Sequence, residues 1–160
     1  MKFRRMTILK SLLYLVFEAG LFAVYIPLRL LQHGPRLETG ILSFLASPFW
    51  LIGSLIILQS FGDFTFRGRG TPLPTDPPKE LVVTGFYRYV RNPIYVGVMM
   101  IFLGHFLWFG YWGLLLYAVL AFLGVHFFIL LYEEPTLKRR FGVAYEDYLR
   151  RVPRWIPRWR

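Results

Sequence analysis

The sequence has no cysteine and few acidic residues: nine Asp and Glu stand against 19 Lys and Arg, for a formal net charge of +10. The absence of cysteine excludes disulfides, thiolate nucleophiles and cysteine metal sites, and no other metal site is predicted. Hydrophobic residues nevertheless make up 56% of the 160 residues. Because soluble domains are rarely both this apolar and this basic, we expect an integral membrane protein.

Four long apolar segments account for about half of the chain, and the last three contain no charged residue. At about 20 residues per membrane span, we interpret all four as transmembrane helices. The third segment is short, so its helix is predicted to begin near Asn92. The fold class is therefore all-α, a four-helix membrane bundle in which 1–160 form a single domain. The segments are 7–31, 41–61, 94–109 and 113–132.

The connecting parts differ in kind. The 62–93 loop is rich in Gly and Pro, and irregular loops of this length are usually functional or disordered. A tight turn at 109–113 predicts a helical hairpin over 94–132. After Pro135, apolar residues recur at helical spacing, which predicts an amphipathic surface helix followed by an interfacial tail of Trp and Arg. The predicted parts are 1–61 (helices 1 and 2), 62–93 (cytosolic loop), 94–132 (hairpin) and 133–160 (amphipathic helix and tail).

Basic residues are distributed unevenly about the apolar segments. Seventeen of the 19 fall in the N-terminal part, the 62–93 loop and the C-terminal tail, and only Arg29 and Arg36 fall on the other side. Because loops rich in Lys and Arg stay cytoplasmic, we expect a multi-pass protein of the cell membrane with both termini in the cytoplasm. The positive charge is thus a topology signal, and it gives no reason to expect a nucleic-acid partner.

Few ionisable residues lie at predicted membrane depth, where an unpaired one is costly. His105 is expected to form interhelical hydrogen bonds. Glu18 is expected either to pair with His105 or His126 or to face a polar cavity. His126 precedes Glu133 by seven residues, which is two helical turns, so both side chains are expected on one helix face near the cytosolic end.

Glu133 and Glu134 close the fourth apolar segment where it is predicted to leave the bilayer. Adjacent carboxylates facing Arg88 and Arg91 suit a cationic ligand or an amino group. The alternative is an ordinary interfacial charge pair with those arginines. The sequence leaves both interpretations open.

The 85–97 segment carries the signals of a turn followed by a helix start. Gly85 allows a tight turn, Asn92 is a candidate N-cap, Pro93 suits the first helical turn and Gly97 permits close backbone approach. The N-terminus of such a helix favours an anionic group. Donors on one side of a cleft and carboxylates on the other suit a zwitterion.

These residues carry a resemblance to a known family. Over residues 63–157 their order and spacing resemble the isoprenylcysteine carboxyl methyltransferase and phospholipid methyltransferase superfamily. The resemblance implies an integral-membrane enzyme that binds S-adenosylmethionine on its cytosolic face and takes a lipophilic acceptor from the lipid. The matching positions are Gly85, Tyr87, Arg91, Asn92, Pro93, Tyr95, Gly97, Glu133, Glu134, Leu137, Phe141, Gly142, Tyr145, Tyr148, Val152, Pro153, Ile156 and Pro157.

The resemblance also implies roles for individual residues. Asn92 stands where the prenylcysteine enzymes have His, and Ile129 stands where they have the Arg that meets the acceptor carboxylate. A carboxylate acceptor therefore loses its expected partner, while an amine, a thiol or another lipophilic acceptor stays open. We interpret His126 as the candidate base, Glu134 as the second candidate and Arg91 as facing the site. The implied cofactor contacts are Glu80, Leu81, Val82, Tyr87, Asn92, Pro93, Ile94, Tyr95 and Glu133.

The implied reaction is in-line methyl transfer at the membrane–cytosol interface, which depends on alignment and exclusion of water. Residues 66–78 are either a lid over the site or a passive Pro-rich connector. Two other functions stay open: an NADPH enzyme like the membrane sterol reductases, which share an Asn-Pro-x-Tyr pattern, and a non-catalytic lipid- or cofactor-binding protein. A class I methyltransferase is not supported, because no strand leads through a glycine-rich loop into a helix.

Overall fold

The computed structural model of the protein describes Leu9 and residues 12–31, 34–68 and 79–157. Within these residues the secondary structure is helical and contains no strand, as predicted for an all-α protein. The helices are α1 (Leu12–Leu30), α2 (Gly40–Phe66), α3 (Pro93–Phe109), α4 (Trp112–Phe141) and α5 (Val143–Arg151). The predicted lid at 66–78 lies for the most part outside the described residues.

Three of these helices are long and apolar enough to cross a membrane. They are α1, α2 and α4, with 19, 27 and 30 residues. Helix α3 is equally apolar and begins at Pro93 as predicted, but its 17 residues extend only about 25 Å, less than a hydrocarbon core of about 30 Å. Three helices thus identify the chain as a multi-pass membrane protein. A fourth span, formed by α3, stays a prediction.

Helices α2 and α3 cross antiparallel along a seam of small residues. Ala46, Gly53 and Ser60 are buried on α2 at intervals of seven, and Gly97 and Gly104 repeat this interval on α3. Gly53 faces Gly97, and Ala46 faces Gly104. Small residues let helix backbones approach closely in a membrane, where packing contacts rather than water exclusion drive association. This seam places the start of α3 beside the C-terminal half of α2.

The turn between α3 and α4 is the predicted hairpin. Gly110 ends α3 in the left-handed conformation with φ of +74°, and its N–H donates to Phe106 O at 2.8 Å. The Leu37 N–H donates to Gly110 O at 2.7 Å, and the Trp112 N–H to Pro35 O at 3.3 Å. The α1–α2 connection is thereby tied to the hairpin at the end of the bundle opposite Glu133.

Helix α1 is joined to the bundle through an irregular stretch, Ala19–Tyr25, in which the helix widens to a π-helix. Tyr117 on α4 donates its hydroxyl to Phe22 O at 3.0 Å. His105 on α3 accepts a hydrogen bond at Nδ1 from Trp50 at 2.9 Å and donates from Nε2 to Ala23 O at 2.8 Å. The interhelical role predicted for His105 is thus confirmed, and it does not pair with Glu18.

The amphipathic segment after Pro135 is two helices, where the sequence predicted one. Helix α4 continues through Pro135 to Phe141, and Gly142 then interrupts the helix at φ +52°, ψ −129°, a conformation open chiefly to glycine. Helix α5 resumes at Val143. Lys138 and Glu146 form an ion pair of 2.9 Å across the break, and Lys138 holds the pKa of the Glu146 carboxyl below its ordinary value.

A small apolar core fixes α5 to the chain that precedes the turn before α3. Tyr145, Tyr148 and Val152 are buried together, and Leu81 packs against them. The chain before the turn Gly85–Arg88 is thereby held against α5 and the residue that follows it. This contact places the C-terminal segment beside the start of α3.

Candidate functional site

A cavity of about 460 Å³ lies among the four long helices and the turn Gly85–Arg88. Most of its wall is apolar, and its polar groups come from α1, the turn, the start of α3 and Glu133 on α4. Both π-helical stretches, Ala19–Tyr25 and Ile129–Glu133, contribute residues to the wall. Such interruptions often occur at functional sites. The polar lining residues are Tyr14, Glu18, Tyr87, Arg91, Asn92, Tyr95 and Glu133.

Glu133 lines this cavity and, among the residues that the structure describes, has a hydroxyl group rather than a cation as its partner. The Tyr95 hydroxyl donates to its Oε2 at 3.5 Å, and Glu133 forms no ion pair within the part of the chain that the structure describes. Glu18 lines the same cavity, as does Tyr14 one helical turn before it. A carboxylate held only by a neutral hydroxyl in an apolar cavity attracts a cationic ligand.

Glu134 has a different environment, although it is the next residue. Arg154 donates to both of its oxygens, from Nε and Nη2, each at 2.8 Å. Arg91 donates from Nη1 to Oε1, also at 2.8 Å. The ordinary charge-pair interpretation is therefore correct for Glu134, with Arg91 and Arg154 as partners, whereas exposed Arg88 takes no part. The hydrogen bond to Glu134 raises the pKa of Arg154 above its ordinary value.

The turn before α3 is fixed by buried contacts. Tyr87 is buried and lines the cavity, and the Tyr148 hydroxyl donates to Tyr87 O at 2.7 Å. Burial, and after it the charge of Glu133, raises the pKa of Tyr87 well above its ordinary value. The Tyr87 phenol therefore stays protonated and is a hydrogen-bond donor at the cavity.

The predicted capping role of Asn92 is wrong in its detail. Asn92 occupies the N-cap position of α3, but its side chain does not cap the helix. Its Nδ2 donates instead to Arg154 O at 3.3 Å. The side-chain amide of Asn92 is therefore oriented by the C-terminal segment, through the Arg154 carbonyl, and not by the first turn of α3.

His126 lies on α4 outside the cavity lining. Its Nδ1 accepts a hydrogen bond from Trp155 Nε1 at 3.1 Å, and its ring stacks on Phe122 with centroids 5.8 Å apart. His126 is thus engaged by the C-terminal segment and does not pair with Glu18. Its assignment as a base stays a prediction, as does that of Glu134.

The structure brings half of the predicted site residues together. Tyr87, Arg91, Asn92, Ile94, Tyr95 and Glu133 all line the cavity. The other six lie outside the lining: His126 and Glu134 are bound by the C-terminal segment, Glu80 is exposed, Leu81 packs in the core around Tyr148, and Val82 and Pro93 are buried. Sequence reasoning missed Tyr14 and gave no site role to Arg154 or Trp155. Tyr14 precedes Glu18 by one helical turn, and this spacing was the available signal.

The hydrogen bond from Tyr148 to Tyr87 predicts a measurable effect on stability. Tyr148→Phe removes the donor and leaves a buried carbonyl unsatisfied, so we expect a loss of about 1 kcal/mol. Thermal unfolding of detergent-solubilised protein measures it as a lower Tm. Tyr89→Phe is the control, since Tyr89 is exposed in the same segment; equal Tm values for the two variants would contradict the prediction.

Apolar helices of membrane length around a cavity with carboxylate and tyrosine groups define a multi-pass membrane protein with an internal, partly polar cavity. A family model described as phospholipid methyltransferase matches residues 39–144. Since this match covers well over half of the chain, the protein belongs to the phospholipid methyltransferase family. The resemblance predicted from the motifs is confirmed, and the family indicates a membrane methyltransferase that interacts with lipid.

A second similarity is to Delta(14)-sterol reductase LBR of Gallus gallus. The two sequences are 35% identical over 86 residues, which cover 51% of this chain and 13% of the reductase. The chain thus spans a small fraction of this relative's length. The reductase activity named for that protein is not carried to this chain by so partial a match.

Proposed function

We propose that the protein transfers the methyl group of S-adenosylmethionine to a lipophilic acceptor at the membrane–cytosol interface. The observation that carries this proposal is the contrast between two adjacent carboxylates. Glu134 is neutralised by two arginines, while Glu133 lines an apolar cavity and, within the described part of the chain, has only a tyrosine hydroxyl as partner. The unpaired carboxylate of Glu133 favours a cationic ligand.

The residues of the cavity fit S-adenosylmethionine. Its ammonium and sulfonium groups are cationic and suit Glu133, and its carboxylate needs donors. Nε of Arg91 is buried without a hydrogen-bond partner among the described residues, and Arg91 lines the cavity together with Asn92 and the Tyr87 hydroxyl. When bound, this cofactor would supply an electrophilic methyl group. The chain's own residues would orient it and exclude water, which is the main source of acceleration in such a transfer.

The apolar remainder of the cavity suits a lipophilic acceptor. Phe22, Ile101 and Phe102 belong to this wall. Ile129, which stands where the prenylcysteine enzymes have an arginine, is uncharged and lies outside the cavity lining, so this position gives no cation for an acceptor carboxylate. This supports an amine or a thiol over a carboxylate. The distribution of basic residues supports an orientation in which the Glu133 end of the cavity opens to the cytoplasm.

Two titrations and one transfer reaction test the proposal. Purified protein is titrated calorimetrically with S-adenosylmethionine and, in parallel, with NADPH, because the partial similarity to a sterol reductase makes the latter the specific alternative. Protein is then incubated with membranes and methyl-labelled S-adenosylmethionine. We expect binding of S-adenosylmethionine and a labelled lipid that mass spectrometry can identify.

Each result has a distinct meaning. Binding of NADPH with no binding of S-adenosylmethionine would overturn the proposal in favour of a reductase. Binding of S-adenosylmethionine without transfer to any lipid would favour the non-catalytic alternative. If transfer occurs, the pH dependence of a His126→Gln variant would test the predicted base, because a glutamine cannot take up the acceptor's proton.

A further inference from the structure

The C-terminal segment makes contacts that the methyl-transfer proposal does not use. We name residues 152–157 the tail clasp. The backbone N–H of Arg91 donates to Pro153 O at 2.9 Å, and the side-chain Nδ2 of Asn92 donates to Arg154 O at 3.3 Å. Two consecutive residues of the cavity wall are thus bound by two consecutive carbonyls of the clasp.

Arg154 fixes the geometry of this clasp. It binds Glu134 with two parallel hydrogen bonds of 2.8 Å, and Arg91 shares one of the same oxygens. Paired bonds from a planar guanidinium set the orientation of a carboxylate as well as its distance, which a lysine cannot do. The side chains of Arg91 and Glu134 are 12% and 16% exposed, so solvent screens this network less than a surface pair.

Trp155 anchors the same segment to α4 at a second point. Its indole N–H donates to His126 Nδ1, and its ring packs on Phe122 with centroids 5.0 Å apart. Residues 153, 154 and 155 therefore contact three different parts of the protein: the start of α3, Glu134 and His126, respectively. Because the clasp is hydrogen-bonded to Arg91 and Asn92, any movement of the clasp would also move these two residues.

We propose that Arg154 is a positioning residue, which acts through Glu134 to hold Arg91 and Asn92 in the cavity wall. Arg154 itself does not line the cavity. Without Arg154, Glu134 keeps only the single hydrogen bond from Arg91 among the described residues. The clasp then loses its contact with α4 at Glu134, so it no longer fixes the positions of Arg91 and Asn92. The consequence for S-adenosylmethionine rests on the proposed function, whereas the consequence for the start of α3 does not.

The experiment separates these two consequences. Hydrogen exchange of peptides covering 85–96 and 152–157 is measured on the full chain in nanodiscs, together with calorimetric affinity for S-adenosylmethionine. The variants are Arg154→Met, Arg154→Lys, Glu134→Gln and the double variant Glu134→Gln/Arg154→Met. Arg151→Met is the matched control, because Arg151 is an exposed arginine three residues earlier.

We expect Arg154→Met to speed exchange in 85–96 and to weaken the cofactor affinity about tenfold, which is about 1.4 kcal/mol. Arg154→Lys should lie between wild type and Arg154→Met. In the Glu134→Gln background, Arg154→Met should add little, because the two residues act through one contact. Arg151→Met should match wild type in both measurements.

Several results would overturn the proposal. Exchange in 85–96 that is the same in Arg154→Met and Arg151→Met would do so, as would full additivity in the double variant. If Arg154→Met does not fold, Arg154→Lys decides, and wild-type exchange in that variant counts against a role for the paired bonds. Wild-type protein that binds no S-adenosylmethionine would overturn the proposed function alone, since the exchange comparison stands without the cofactor.

Discussion

Glu133→Gln is expected to abolish binding of S-adenosylmethionine while leaving a folded, detergent-extractable protein. The substitution preserves the shape of the side chain and removes its charge. Because truncating one partner of a buried charged pair typically costs about 2–5 kcal/mol of binding, the calorimetric signal should fall below detection. Unchanged affinity in this variant would refute the assignment of the cofactor to this cavity.

Glu133→Gln should weaken cofactor binding, but it should not lower the stability of the protein. A carboxylate without an ion-pair partner is costly in an apolar cavity, so removing its charge should leave Tm unchanged or raise it. Glu134→Gln makes the useful contrast, because it leaves Arg91 and Arg154 without their shared partner and should lower Tm. Glu38→Gln is the neutral control, since Glu38 is exposed beyond the other end of the bundle. Falling Tm in Glu133→Gln would mean that Glu133 is a structural residue.

The sequence predicted the fold correctly where a local pattern or a single residue determines the structure. Apolar length predicted the long helices, Pro93 marked the start of α3, and Gly110 marked the turn of the hairpin. The signal failed at Gly142, because the apolar spacing continues through a residue whose backbone conformation breaks the helix. It also failed at the end of α2, which extends to Phe66 beyond the last residue of the predicted apolar segment.

The site was readable only in part, for a different reason. The positions of Tyr95 and Glu133 follow from motifs on two adjacent helices, and both line the cavity. Which of two neighbouring glutamates faces the cavity depends on where the arginines lie, and Arg154 reaches Glu134 from 20 residues along the chain. No periodicity encodes such a contact. The hydrogen bond from Trp155 to His126 is likewise not encoded in any periodicity. The histidine predicted to be a base therefore accepts a hydrogen bond that the sequence did not indicate.

Gly97→Leu is expected to prevent assembly of the bundle. A β-carbon at this position would lie 2.7 Å from Gly53 O and 2.7 Å from a side-chain carbon of Ile57, closer than van der Waals contact allows. Since the backbone oxygen cannot move without its helix, α2 and α3 must separate. Overpacking by small additions costs about 1–3 kcal/mol, and leucine adds far more volume. We expect loss of the monodisperse peak in size-exclusion chromatography.

Gly62→Leu is the matched control on α2, because a β-carbon there meets nothing within 4 Å. Leucine is a better helix former than glycine by somewhat less than about 1 kcal/mol, so this variant should remain monodisperse with equal or higher Tm. Gly97→Ala should fall between the two, with a lower Tm and a folded bundle. Because Gly97 lies between the cavity-lining residues Tyr95 and Val98, Gly97→Ala should also weaken cofactor binding. A Gly97→Leu protein as stable as Gly62→Leu would mean that α2 and α3 do not meet at this seam, and that the α2 wall of the cavity is not where the structure puts it.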